Sequence, residues 1–139
     1  MTTIDRRSFL GAAAGLATAA ALAPTLSSAA TPAGRVPGKL VHQVYFWLKR
    51  PDSKEDLAKL LAGIRSLAAI ETVRGLHVGV PASTEQREVV DNSFSASELL
   101  FFDSVEDEHA YQVHPIHAKF VEDCSPLFAK VVVYDSVAV

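Results

Sequence analysis

The stretch Leu40–Lys49 reads LVHQVYFWLK. Its β-branched and aromatic content predicts a strand. Side chains alternate across a strand, so Leu40, His42, Val44, Phe46 and Leu48 share one side and Val41, Gln43, Tyr45 and Trp47 the other. Both sides are largely apolar, which predicts a strand covered on both faces, with His42 on the greasier one.

Beyond it, Asp52 or Ser53 is placed to cap a helix, with Glu55 or Asp56 three residues on to complete a capping box. Leu57, Leu60, Leu61, Ile64 and Leu67 follow at helical spacing. Gly75 ends the connection, and Leu76–Val80 reads as a second strand. Pro81–Asn92 (PASTEQREVVDN) is polar and turn-like, the main surface loop. Phe94–Asp103 is a third strand, strongest at Leu99–Phe102. Ser104 caps a second helix that Pro115 must interrupt, because a proline disfavours helical geometry in the residue before it, here His114. The helix resumes through Phe120, Val121, Cys124 and Phe128, and Lys130–Val139 (KVVVYDSVAV) closes the domain as a strand.

The order β-α-β-β-α-β is a ferredoxin-like split motif of the α+β class, with a four-stranded antiparallel sheet and its helices on one face. The first and last strands are also apolar on the opposite face, more apolar surface than one small domain leaves in water. A second copy covering it, sheet against sheet, predicts a homodimer in the form of a dimeric α+β barrel.

On the other side of Leu40 the chain changes character. Arg6-Arg7 precedes Ser8-Phe9-Leu10, a mildly apolar run ends at Pro24, and Ser28-Ala29-Ala30 follows. That order is an export signal, and the paired arginines resemble a twin-arginine (Tat) signal. Leu10–Ala23 is 14 residues, against roughly 20 needed to cross a bilayer. Cleavage is therefore expected after Ala30, leaving no stable membrane anchor and a periplasmic or secreted product. The expected organisation is a signal over 1–30, a Pro/Gly linker over 31–38 (TPAGRVPG for Thr31–Gly38) and a folded domain over 39–139. The last 109 residues carry 11 Lys+Arg and 15 Asp+Glu, a net acidity with no basic block that argues against nucleic acid as a partner. The single cysteine, Cys124, excludes an intrachain disulfide and a Cys-rich zinc site.

His42, Leu99–Asp103 leading into Ser104-Val105-Glu106-Asp107, the segment Tyr111-x-x-His114-Pro115-x-His117, and Val131–Asp135 together resemble the stress-responsive A/B barrel (Dabb) family over Lys39–Val139. The resemblance implies a dimeric α+β barrel with a pocket between sheet and helices. One branch, a plant polyketide cyclase, uses a tyrosine and a histidine set as in Y-x-x-H-P-x-H. The matching positions imply Tyr111 for its tyrosine and His117 for its catalytic histidine, with His114 as the residue before the proline and His42 in the first strand; the residues expected at the substrate are His42, His114, Phe46 and Phe120. The export signal and the Pro81–Asn92 loop depart from that branch.

The residue types suit this chemistry on their own account. Histidine titrates near neutral pH and passes protons. A phenol one turn before His114 can donate a hydrogen bond to a carbonyl or enolate oxygen. The expected function is cofactor-free acid/base chemistry, an aldol-type cyclisation or isomerisation, on a small hydrophobic or carbonyl-containing ligand. The alternative is a non-catalytic ligand-binding or stress-protective homodimer. His114, standing before a proline, equally suits a helix cap. No carboxylate is fixed beside the three histidines by spacing, so no metal is expected.

Overall fold

The computed structural model describes residues 36–139, so Arg6, Arg7, the expected signal and most of the linker lie outside the described residues. The strands are β1 (Leu40–Leu48), β2 (Gly75–Gly79), β3 (Ala96–Phe102) and β4 (Phe128–Val137), in the order β2-β3-β1-β4 with every neighbouring pair antiparallel. This is the α+β, ferredoxin-like sheet expected. Two strands begin and end earlier than their composition suggests. Gly75 rather than Leu76 opens β2, and β4 starts at Phe128, where the chain leaves a 3-10 turn over Ser125–Leu127 and pairs with Leu48 across a bulge.

Entry into β1 depends on Gly38, at φ +124°, where an added Cβ would lie 2.5 Å from the Phe102 carbonyl oxygen. That conformation favours glycine alone. The tight approach lets the Lys39 amide donate to the same carbonyl at 2.9 Å, which sets the register of β1 on β3.

Helix α1 (Lys54–Ser66) begins at Ser53, whose hydroxyl accepts from the Asp56 amide at 3.2 Å. Asp56 itself turns away from a capping box. Its carboxylate takes hydrogen bonds from Arg50, which hold it below the usual carboxylate range. Helix α2 (Val105–Gln112) is capped by Ser104, and α3 (Pro115–Cys124) follows after the break at His114. Leu60, Ile64 and Leu67 are fully buried against the even-numbered face of β1, with Leu100 and Phe102 of β3. Each such side chain contributes roughly 1.5–3 kcal/mol of burial. Gly63 lets α1 and α3 approach closely, since a Cβ there would meet Cys124 Sγ at 2.7 Å. Cys124 is accordingly a buried packing residue whose thiol is pushed up by burial.

The opposite face of the sheet is less open than the sequence suggests. The 80–95 loop folds back over one end of it: Trp47 Nε1 donates to Ser93 Oγ at 3.0 Å, Phe94 meets Tyr45 edge-on at 5.1 Å, and the Lys130 ammonium sits 4.5 Å above the Trp47 ring. Beside it, Gln43, Tyr45, Val132 and Tyr134 bound a hollow of about 630 Å³. Among the described residues no helix is long and apolar enough to cross a membrane.

Candidate active site between sheet and helices

The break between α2 and α3 builds the site. Helix α2 ends at Gln112; the Val113 and His114 amides reach the His109 and Tyr111 carbonyls, while the Gln112 carbonyl receives no backbone amide among the described residues. His114 has the extended backbone (φ −69°, ψ 141°) that a following proline imposes, and its Nδ1 accepts from the Ile116 amide at 3.1 Å. That amide is the one that would otherwise reach the Gln112 carbonyl. The carbonyl instead accepts from His117 Nδ1 at 3.0 Å.

This bond fixes the His117 tautomer. A carbonyl only accepts, so Nδ1 carries the proton and Nε2 keeps a free lone pair. Burial holds the imidazole below the ordinary histidine value. The Gln112 carbonyl pulls the other way, and His42 adds to the lowering. At neutral pH the ring is an uncharged base.

Tyr111 lies on the buried side of α2, fully enclosed, its ring 4.6 Å from His117, 5.2 Å from Phe102 and 5.8 Å from His42. Its hydroxyl has no hydrogen-bond partner among the described residues. Burial, with the carboxyls of Glu98 and Glu108 nearby, pushes the phenol well above its usual range, so it is a donor rather than a phenolate.

His42, on the core face of β1, donates from Nδ1 to Asp135 Oδ1 at 2.6 Å, with Glu108 Oε1 3.9 Å away. Asp135 lies directly opposite it across the β1–β4 ladder. Phe46, Phe120 and Phe128 form an aromatic wall, with centroids 5.0 to 6.4 Å apart.

These groups line one open-sided cavity of about 270 Å³, bounded by His42, Phe46, Glu98, Tyr111, His117 and Phe120 among others, and otherwise mostly by valine and phenylalanine. The volume falls just below the usual range for drug-sized ligands and suits a small molecule. Five of the six expected site residues therefore converge on it. His114 is the exception and corrects the expectation. Its Nδ1 is engaged as the α3 cap and its Nε2 faces Glu71 Oε2 at 3.3 Å, so it does not line the cavity. The three histidines consequently do not meet, and among the described residues no group of three His, Cys, Asp or Glu is set to hold a metal.

Sequence reasoning missed Glu98. Its signal was available: Ala96, Glu98, Leu100 and Phe102 share one face of β3, which puts a carboxyl in an otherwise apolar row. Asp135 and Glu108 were missed for a different reason, since only the sheet register and the helix packing bring them to His42.

A family model described as Stress responsive A/B Barrel Domain (Dabb) matches residues 40–138. No curated protein matches the sequence. Among solved structures, a dimeric ferredoxin-like protein of unknown function from Thermobifida fusca is 17% identical at a TM-score of 0.59, over 75% of this chain and 95% of its own. A Dabb family protein with a ferredoxin-like fold from Mesorhizobium loti is 22% identical at 0.60, over 73% and 98%. The hydroxynitrile lyase from Passiflora edulis is 20% identical at 0.62, over 75% and 96%. At these identities the likeness is one of fold.

Proposed function

The chain belongs to the stress-responsive A/B barrel domain family, and from that premise we propose that it binds a small carbonyl-containing or aromatic compound between sheet and helices and moves a proton beside the carbonyl. His117 Nε2 is the base. The C–H bond next to the carbonyl breaks, its proton goes to Nε2, and the electron pair passes to the carbonyl oxygen, which receives a hydrogen bond from Tyr111. Returning the proton elsewhere gives an isomerisation; attack of the enolate carbon on a second carbonyl gives an aldol-type cyclisation. The observation that carries this reading is the bond from His117 Nδ1 to the Gln112 carbonyl, which leaves the other nitrogen free beside a buried phenol without a partner. A hydroxynitrile lyase is built on the same fold, so the fold itself accommodates catalysis.

The homodimer is part of the proposal. Its support is the half-exposed outer row Val41, Gln43, Tyr45 and Trp47 with exposed Tyr134 beside it, and the dimeric state named for the T. fusca neighbour. A stable pair buries about 800 Å² on each subunit. Light scattering after size exclusion reads a dimer at micromolar concentration if this holds and a monomer if it does not. Export by the Tat route is proposed from Arg6-Arg7. Replacing both by lysine then leaves uncleaved precursor in the cytoplasm, whereas undiminished secretion overturns the assignment.

The activity is tested by a thermal-shift screen of aromatic ketones and aldehydes on the wild type, His117→Ala and Tyr111→Phe, with solvent-deuterium exchange of each hit followed by NMR. Exchange in the wild type and its loss in His117→Ala support the proposal. Stabilisation without exchange in any protein supports the non-catalytic, ligand-binding alternative. No stabilisation by any compound overturns the ligand pocket.

A further inference from the structure

We propose that Glu98 is a second hydrogen-bond donor of this cavity, acting with Tyr111 on one ligand oxygen, and that the pair selects neutral carbonyl compounds over carboxylates. The inference rests on the proton-transfer reading of the same site and names its substrate class more closely.

Glu98 is 2% exposed and lines the cavity from β3, opposite Val44 of β1. Its Oε2 is buried and has no hydrogen-bond partner among the described residues, the same condition as the Tyr111 hydroxyl. No lysine or arginine lines the cavity, and His42, which does, spends its Nδ1 on Asp135. An ionised carboxylate without a partner is costly in such surroundings. The stable form is the neutral acid, and burial pushes the carboxyl up to about 8. A neutral carboxylic acid carries one O–H donor, as a phenol does.

Two neutral donors in an apolar hollow match an oxygen that is uncharged in the ground state and gains negative charge in the transition state. Both hydrogen bonds strengthen as that charge develops, and neither donor needs to reorganise. A carboxylate ligand meets the opposite situation. It must leave water already charged, with no lysine or arginine in the lining to receive it. His117, uncharged and with its lone pair free, completes the set as the acceptor of the proton released from the neighbouring carbon.

The test uses the full-length mature protein and two readouts, one needing no ligand. Infrared difference spectra at pH 7 between the wild type and Glu98→Gln are expected to show the carbonyl band of a protonated carboxyl in the wild type only. Its absence overturns the proposal and leaves the His117 reading standing. The second readout is deuterium exchange of the acetophenone methyl group, with benzoate as the charged counterpart in binding measurements. Glu98→Leu, which keeps the volume and removes the donor, is expected to slow exchange about a hundredfold. Glu98→Gln, which keeps an N–H donor, is expected to lose less. Benzoate is expected to bind at least about tenfold more weakly than acetophenone. Wild-type exchange that survives intact in Glu98→Leu, or tighter binding of benzoate than of acetophenone, overturns the role of Glu98 alone. Wild-type exchange no faster than that of His117→Ala overturns the proton-transfer reading and this inference with it.

Discussion

Replacing Tyr111 by phenylalanine should make the protein more stable and less functional at once. The hydroxyl is enclosed by protein and has no partner among the described residues, so folding strips its hydration without return. A buried donor left unpaired costs about 1–3 kcal/mol. Removing one oxygen gives up only a few close contacts, each worth about 0.1–0.2 kcal/mol. The ring and its packing on His117, Phe102 and His42 remain. The net expectation is a gain of about 1 kcal/mol, or roughly 4–8 °C in Tm for a domain of this size. Thermal unfolding without ligand, at matched protomer concentration so that any association is held constant, measures it directly. Ligand-dependent stabilisation should shrink in the same variant, the trade expected where a site is held ready at the expense of stability. A Tyr111→Phe protein less stable than the wild type by about 1 kcal/mol or more would be the opposite result. It would mean that the hydroxyl is satisfied in the folded chain and is not kept free for a ligand.

Three further outcomes follow from particular residues. From about pH 4.5 to about pH 8 the folded chain holds a proton on Glu98 that the unfolded chain has released, so stability falls with rising pH across that window. Between pH 7 and 9 the loss attributable to Glu98 is about 1 kcal/mol by linkage; urea titrations should show it in the wild type and not in Glu98→Gln. His117 acts in the opposite sense, its stability contribution being lost as pH falls below the ordinary histidine value, which is why the comparison is made above pH 7. Substituting His114 by alanine removes the α3 cap and the Glu71 contact and should cost about 1 kcal/mol in chemical denaturation. Gly38→Ala forces a Cβ against the Phe102 carbonyl at positive φ and should destabilise by more than about 1 kcal/mol, read as a fall in the denaturation midpoint.

Much of this architecture could be read from residue patterns, because the strong signals were local. The stripe from Leu57 to Leu67 and the caps at Ser53 and Ser104 each depend on a few adjacent residues, and all appear in the fold. The break at Pro115 is local too, and it falls between Tyr111 and His117, whose rings lie 4.6 Å apart. The His42–Asp135 bond could not be foreseen from spacing, since it joins residues 93 positions apart through the β1–β4 register. Glu98 sits in a strand whose apolar neighbours mask it, although its parity places it on the core face. His114 illustrates a competition of roles. The same nitrogen cannot cap Ile116 and face a ligand, and the unpaired amide at the start of α3 takes it.

The claim on which the account turns is that His117 presents an uncharged nitrogen, Nε2, to the cavity. Nitrogen NMR of the imidazole rings, assigned with His117→Ala, reports the protonation state and tautomer directly. At pH 7 a neutral His117 ring with the proton on Nδ1 is expected. A proton on Nε2, whether in the other neutral tautomer or in the imidazolium, would contradict it.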